Sequence, residues 1–351
     1  MLSDSALRHL QDVADLPDLT GTRYELVAPL GRGGMGRVYR VRDRELDREV
    51  ALKVLSGPAE PSSAERLRTE ARVLARLEHP GIVPIHDAGV LPDGRAYYVM
   101  TLVRGSRLDE LAPALSSIPE RLRLLARVTD AVAFAHAHGI LHRDLTPSNI
   151  MVGPFGQVLV MDWGTAKVQE LRADGIGPES AEASEKADRG AKAPPPQLNG
   201  EAESRIARVG QVRQVDQVGT GAGVVLGTPG FMAPEQARGD AAHADPRADV
   251  YALGALLGWL LDPAHGGPVV APPAVRAIRD RAMSDEPQAR YASAEAFGAE
   301  LGRYLDGLPV DAHRETAVER VARFGRTYRV AILLVLAYLV MRILLLLVAD
   351  L

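Results

Sequence analysis

Three clusters in this chain combine residue types and spacings that could act on phosphate groups. The first, Gly31-Arg32-Gly33-Gly34-Met35-Gly36-Arg37-Val38, is a G-x-G-x-x-G-x-V pattern between two predicted strands. Glycines let backbone N–H groups approach phosphate oxygens with no side chain in the way. A tight hairpin would use the same glycines, so both readings stand for this cluster alone. A dinucleotide fold would place a helix directly afterwards; the strand that follows removes that fold and leaves a phosphate cover. The second cluster is Val50-Ala51-Leu52-Lys53, whose lysine lies seventeen residues after Gly36. The chain has four lysines (Lys53, Lys167, Lys186, Lys192) against 37 arginines, so lysine is a rare choice here. A compact ammonium facing phosphates accounts for it better than a solvated strand charge. Glu70, on the helix that should follow, would point back toward Lys53 as an ion-pair partner; a surface glutamate in a charged helix is the competing reading.

The third cluster is His142-Arg143-Asp144-Leu145-Thr146-Pro147-Ser148-Asn149, followed by Met161-Asp162-Trp163-Gly164. Asn149 comes five residues after Asp144, and Asp162 thirteen after Asn149, a spacing that chance rarely gives. Two acids and an amide oxygen on adjacent loops suit a hard cation with oxygen ligands, namely Mg²⁺ holding nucleotide phosphates. Mn²⁺ suits the same ligands. His136, His138 and His142 could suggest a different metal site, but histidines near a helix end more often satisfy local hydrogen bonds.

The elements that must position these groups change character along the chain. Strand patterns cover 24–27, 37–41 and 49–55, then 81–90 and 96–103. Between them, Leu67, Ala71, Leu74 and Leu77 recur at a helical period. After Gly105 the pattern is mainly helical, with 118–138 and 250–261 the clearest segments. A small β-rich lobe thus precedes a larger helical one. Residues 5–16 suit a short amphipathic lid helix. Residues 169–222 contain no aromatic side chain and a Pro194-Pro195-Pro196 run, a composition too poor in apolar area to offset chain entropy, and are predicted to be a disordered insert.

From Tyr24 to about Leu305 the sequence resembles a eukaryotic-type serine/threonine protein kinase domain of the bacterial kind. The resemblance implies a two-lobed α+β fold, with an N-lobe over 24–103, a C-lobe over 104–305 and an N-terminal extension over 1–23. It implies ATP as the nucleotide, with Gly31, Gly33 and Gly36 over its phosphates. Val38 and Ala51 would cover the adenine, Met151 would lie beneath it, and Met100, Thr101, Leu102 and Val103 would form the hinge. Lys53, paired to Glu70, would contact the α and β phosphates, Asp144 would accept the proton of the attacking hydroxyl, and Asn149 and Asp162 would hold Mg²⁺. Gly227-Thr228-Pro229-Gly230-Phe231-Met232-Ala233-Pro234-Glu235 resembles the substrate-docking segment. Glu235 would pair with Arg290, Asp249 would anchor the catalytic loop, and Thr228 would bond Asp144. The implied acceptor is a Ser or Thr hydroxyl of a protein. An activation-loop phosphate, with Thr220 the best-placed site and Ser180, Ser184 and Ser204 behind it, would be received by Arg143 and Lys167.

Two residues depart from the family. Trp163 replaces the usual Phe, an exchange of large aromatics. Thr146 replaces a lysine that contacts the transferred phosphoryl group, and losing such a contact costs on the order of 10²-fold or more in rate in other enzymes. A nucleotide-binding pseudokinase acting as a membrane-attached scaffold is therefore the rival reading.

Composition and the C-terminus bound the rest. The chain has 351 residues, of which 46% are hydrophobic and 25% charged, which excludes a disordered or fibrous protein. A net charge of −4 argues against a nucleic-acid partner, and the absence of cysteine excludes a disulfide scaffold or thiolate nucleophile. The N-terminus has neither the basic lead nor the apolar run of a secretory signal. Residues 330–348 are apolar except for Arg342 and follow a basic segment, 306–329, with Arg320, Arg323 and Arg326; Arg329 ends that segment. As a helix this stretch is about 28 Å long, close to the hydrocarbon thickness of a bilayer. A mid-helix arginine costs about 2.5–3.5 kcal/mol, which the many Leu, Ile and Val residues at roughly −0.3 to −0.6 each outweigh. A single transmembrane helix is expected, holding the kinase domain on the cytoplasmic side of the cell inner membrane; a helix buried against a partner is the alternative. With only Asp350 and Leu351 near its distal end as polar or terminal residues, no external sensor is expected. A homodimer stays open.

Overall fold

The computed structural model describes residues 16–33, 36–55, 71–72, 74–163, 167–168, 228, 230–238, 245–268 and 270–349. The expected lid helix, Glu70, the insert and Thr220 lie outside the described residues.

The N-terminal strands β1 (Tyr24–Gly33), β2 (Gly36–Asp43) and β3 (Arg48–Leu55) form an antiparallel meander, and β4 (Ile85–Val90) and β5 (Ala96–Thr101) complete a five-stranded sheet of order β1-β2-β3-β5-β4. Strand periodicity sorts β3 between two faces. Val50, Leu52 and Val54 pack with Tyr24, Tyr39, Val41 and Val99, whereas Ala51 and Leu55 pack with Val83, Tyr98 and Met100. Lys53 shares the Ala51 face, which turns its ammonium toward the second lobe.

Two strand boundaries differ from the sequence pattern. β1 runs through Gly31 and Gly33 rather than ending at Val27, with register shifts between Leu26 and Ala28 and between Pro29 and Gly31. Glycines add no side chain that would stop the ladder there. β4 begins at Ile85 rather than Gly81, because Pro84 has no N–H to give a ladder; Ile82 instead bridges to Val160, tying the two lobes.

In the C-lobe, α1 (Ile118–Ala137) is capped by Ser117, whose side chain accepts from the Glu120 N–H at 3.3 Å. Its face of Leu122, Leu125, Val128, Val132 and Ala135 is fully buried. α2 (Arg247–Leu261) is buried around almost its whole circumference, as befits a central helix. Around these pack α3 (Pro273–Ala282) and α4 (Ala294–Leu305). The three-stranded sheet of β6 (Ser106–Arg107), β8 (Ile150–Val152) and β9 (Val158–Val160), with β7 (Ile140–Leu141) paired to β10 (Lys167–Val168), carries the loops between the lobes. Arg121 is buried in α1 and donates to the carbonyls of Leu260, Ala112, Leu115 and Gly266 at 2.6–2.8 Å, fastening the ends of neighbouring elements.

Beyond the C-lobe come α5 (Ala317–Thr327) and α6 (Arg329–Ala349). Within α6, side chains are described only as far as Arg342. Among the described residues no helix is long and apolar enough to cross a membrane.

Candidate active site

The site rests on a buried carboxylate. Asp249, in the first turn of α2, is 1% exposed and sits beneath the loop between β7 and β8. Its Oδ2 accepts from the His142 N–H and from His136 Nε2, both at 2.8 Å, and its Oδ1 accepts from the Arg143 N–H at 2.8 Å. Burial alone would push its pKa up; the His136 hydrogen bond, the two histidines and the Arg143 N–H together hold it below the ordinary carboxylate value. Arg143 has φ 70°, a left-handed conformation uncommon for a residue with a side chain, and two N–H groups bonded to one carboxylate hold it there. Burial lowers the Arg143 pKa, opposed by the charge of Asp249.

From this base the loop presents its functional groups. The His142 ring accepts from the Asp144 N–H through Nδ1 at 3.3 Å and donates through Nε2 to the Met161 carbonyl at 3.0 Å, and it lies 4.6 Å from the buried Trp163 ring. Asp144 Oδ1 accepts from the Thr228 N–H at 3.1 Å and the Thr228 hydroxyl at 3.3 Å. The Asn149 side-chain nitrogen donates to the Asp144 carbonyl at 2.8 Å, while the Asn149 carbonyl accepts from the Met161 N–H at 2.7 Å. Asn149 is thus fixed between the two acidic loops, its amide nitrogen committed and its amide oxygen left for a cation. Asp162 follows with φ 57° and a half-exposed side chain, and its Oδ1 accepts from Lys53 Nζ at 3.0 Å. Lys53 also stands 5.5 Å from the centre of the Tyr98 ring. A strand lysine from one lobe and a loop aspartate from the other therefore meet across the cleft.

A family model described as "Protein kinase domain" matches residues 24–182. The chain carries a protein kinase domain. It is 38% identical over 247 residues to the DNA damage-responsive serine/threonine-protein kinase RqkA of Deinococcus radiodurans, covering 68% of this chain and 30% of that protein. It is 32% identical to the serine/threonine-protein kinase pkn3 of Myxococcus xanthus, covering 84% of this chain and 53% of the relative. It is 30% identical to the serine/threonine-protein kinase PknD of Chlamydia muridarum, covering 81% and 32%. The chain thus spans about half or less of the length of these relatives. Kinase domains of this family use ATP and Mg²⁺.

In the kinase domain the remaining expected residues fall in three places. Ala51 and Met100 are buried in one cluster, with Val38, Leu102 and Val103 packed against it, and Thr101 ends β5 beside them. Met161 joins that cluster, whereas Met151 is half-buried on β8 and is not part of it. Sequence reasoning missed Met161; an apolar residue directly before the D-W-G aspartate was the available signal. It also missed His136, because only the fold brings one turn of α1 over Asp249, whereas His138 does bond locally, to the Phe134 carbonyl at 2.8 Å.

The glycines divide by role. A Cβ on Gly31 would meet open space, but one on Gly36 would overlap the Val54 carbonyl, so Gly36 is required by the close approach of β2 to β3. Further down, Arg290 is 3% exposed and grips Glu235 with two parallel bonds of 2.6 and 2.8 Å. It also donates to the carbonyls of Ser284 and Arg247 at 2.8 and 3.0 Å. Burial pushes the Glu235 pKa up, but the Arg290 hydrogen bonds outweigh it and the value falls. Lys167 pairs through its backbone with Leu141, which sets β10 beside the start of the catalytic loop. Thr146 is buried, its hydroxyl 2.8 Å from that of Ser148.

Proposed function

We propose that this chain is an ATP-dependent serine/threonine kinase that phosphorylates proteins and is tethered to a membrane through α6. The observation that carries the catalytic reading is the Lys53–Asp162 contact across the cleft, with Asp144 and Asn149 locked to the same loops. The donor set fits the expected ligands: a carboxylate and an amide oxygen are hard donors suited to Mg²⁺ or Mn²⁺, and an ammonium is a counter-charge for phosphate oxygens. Asp162 and Asn149 would hold the cation, which when bound neutralises charge on the transferring phosphoryl group. Lys53 orients the phosphates. Val38, Ala51, Met100 and Met161 offer an apolar slot for the base, with Met151 on the neighbouring strand. Asp144 has one oxygen committed to Thr228, so its other oxygen receives the proton of a Ser or Thr hydroxyl and aims that hydroxyl at the phosphorus.

Thr146 favours the rival scaffold reading, since a buried hydroxyl bonded to Ser148 supplies no cation to the transition state. Incubating the full chain in vesicles with labelled ATP, Mg²⁺ and a generic protein acceptor, beside an Asp144→Asn variant, separates the two. Incorporation that depends on Asp144 is expected; equal incorporation in both samples would leave only the scaffold.

The membrane reading is supported by the exposed side chains of α6. Val330, Leu333, Leu334, Leu336 and Met341 are all more than half exposed, an apolar surface that water disfavours. Arg320, Arg323 and Arg326 before it and Arg329 at its first position favour a cytoplasmic kinase domain at the inner membrane. For regulation, a phosphate on Thr220 would be received by Arg143 and Lys167; the backbone pairing of Lys167 with Leu141, two residues before Arg143, supports that reading. Activity unchanged in Thr220→Ala would remove that step. A homodimer would let one copy phosphorylate another; activity that rises with protein density in the vesicle would support it.

A further inference from the structure

The segment joining the C-lobe to α6 is held as a structured joint. Glu300 of α4 is 4% exposed, and its two carboxylate oxygens accept from the Asp311 and Ala312 N–H groups, both at 3.0 Å. Arg303, one turn later, donates to Asp311 at 2.9 Å. Thr316 and Glu319 then start α5 with a reciprocal capping box: the Thr316 N–H donates to Glu319 at 2.8 Å and the Glu319 N–H to the Thr316 hydroxyl at 3.3 Å. His313 lies 3.2 Å from Glu319, and Arg323 donates to Glu315 at 2.8 Å. The chain is therefore held to the C-lobe as far as Ala312, and α5 begins with its own cap at Thr316.

α5 is sharply two-sided. At 100° per residue, positions 318, 321, 324 and 325 (Val, Val, Phe, Gly) share one face, and positions 319, 320, 323 and 326 (Glu, Arg, Arg, Arg) the other. Val318 and Val321 are 78% and 71% exposed, so among the described residues nothing in the fold covers the apolar face. That face continues into the exposed apolar surface of α6.

We propose that α5 lies in the headgroup plane of an anionic phospholipid bilayer, with Val318 and Val321 turned into the acyl boundary and Arg320 toward lipid phosphates. The Glu300 clamp then sets how the active site stands relative to the surface. Three cationic positions beside an uncovered apolar stripe are the chemistry of an interfacial helix. A second copy of the chain would cover the apolar stripe but would give the arginines no anionic partner, which lipid phosphates supply. The proposal rests on the membrane reading of α6 but concerns a different segment.

The chain has no cysteine, so a single one can be introduced and labelled with an environment-sensitive fluorophore. Full-length Val318→Cys, Val321→Cys, Thr327→Cys and Leu336→Cys proteins would be reconstituted in phosphatidylcholine vesicles with or without phosphatidylglycerol. With phosphatidylglycerol, labels at 318 and 321 should be shielded from aqueous iodide and quenched by headgroup-level nitroxide lipid, while 327 stays open to iodide. Each arginine near an anionic surface is worth about fivefold in binding, so adding Arg320→Gln should weaken docking about fivefold and make the 321 label more open to iodide. Iodide reaching 321 as freely as 327, or shielding that is equal in both vesicle types, would overturn the proposal, the second result pointing to a protein partner. The label at 336 separates the two readings. If it is shielded while 321 is open, α6 spans and α5 does not dock; if it is open to iodide, the span itself fails.

Discussion

The carboxylates at the top and at the bottom of the catalytic loop are held in opposite ways. At the bottom, Asp249 is 1% exposed with three donors on its two oxygens, and Glu235 is locked to a buried guanidinium. At the top, the Asp162 side chain is 49% exposed with a left-handed backbone, and one oxygen of Asp144 is committed while the other has room for a substrate. The lower acids have given up their hydrogen-bonding capacity to the fold. The upper ones keep part of theirs for a ligand, and the left-handed φ of Arg143 is held by Asp249 from below. Structure and chemistry are thus assigned to different carboxylates, and substitutions should separate them.

The widest separation should come from Asp144→Asn. Losing a positioned general base lowers kcat by about 10²- to 10⁴-fold. Because Thr228 can still donate to the remaining amide oxygen, the melting temperature should stay close to that of the parent. A large loss of stability in this variant would place Asp144 among the supporting acids. Arg290→Ala should do the reverse. It leaves the partly buried Glu235 without its partner, a change that costs at most about 3–5 kcal/mol, the figure for a fully buried pair, read as a shift of the urea midpoint. Phosphoryl transfer by the folded fraction should fall far less than in Asp144→Asn.

Thr146→Lys tests the upper layer from the other side. If the missing cation limits turnover, restoring it should raise kcat by about 10²-fold, the size of a preorganised electrostatic contact. Thr146 is 2% exposed and bonded to Ser148, so the lysine must lift its head toward the cleft, and Ser148 loses its partner. An ATP KM that falls with kcat unchanged would show that the added charge binds the ground state only.

The upper layer was legible in the sequence because each of its residues sits in a short motif of fixed spacing, even though Lys53 and Asp162 meet across 109 residues. Lys53, Asp144, Asn149 and Asp162 are set by local spacing, and the strand period alone places Lys53 on the face of Ala51. The contacts of the lower layer, such as His136 to Asp249 and Glu235 to Arg290, join residues whose own neighbours in the chain carry no phosphate-binding pattern, and no periodicity reports them. Only the family resemblance pointed to Asp249 and to the Glu235–Arg290 pair, and nothing pointed to His136. The edges of the sheet were misread where glycine and proline act against habit: Gly31 and Gly33 extend β1, and Pro84 delays β4. Met161 was passed over because an apolar residue before a motif reads as core, which it also is.

The smallest expected effect is on pH dependence, and it again divides the two layers. Asp249 and Glu235 both have pKa values lowered by folding, so in the unfolded chain each binds its proton at a higher pH than in the native state. Where the unfolded state holds more protons, stability rises with pH. Their contribution is therefore fully present above the unfolded carboxylate values, near 4, and is lost as pH falls through the lower native values. Urea midpoints measured from pH 6 downward should be flat at first and then decline below about pH 4. Glu235→Gln should start from a lower midpoint and decline less steeply, because one titrating group has been removed. A slope left unchanged by Glu235→Gln would remove Glu235 from the supporting layer.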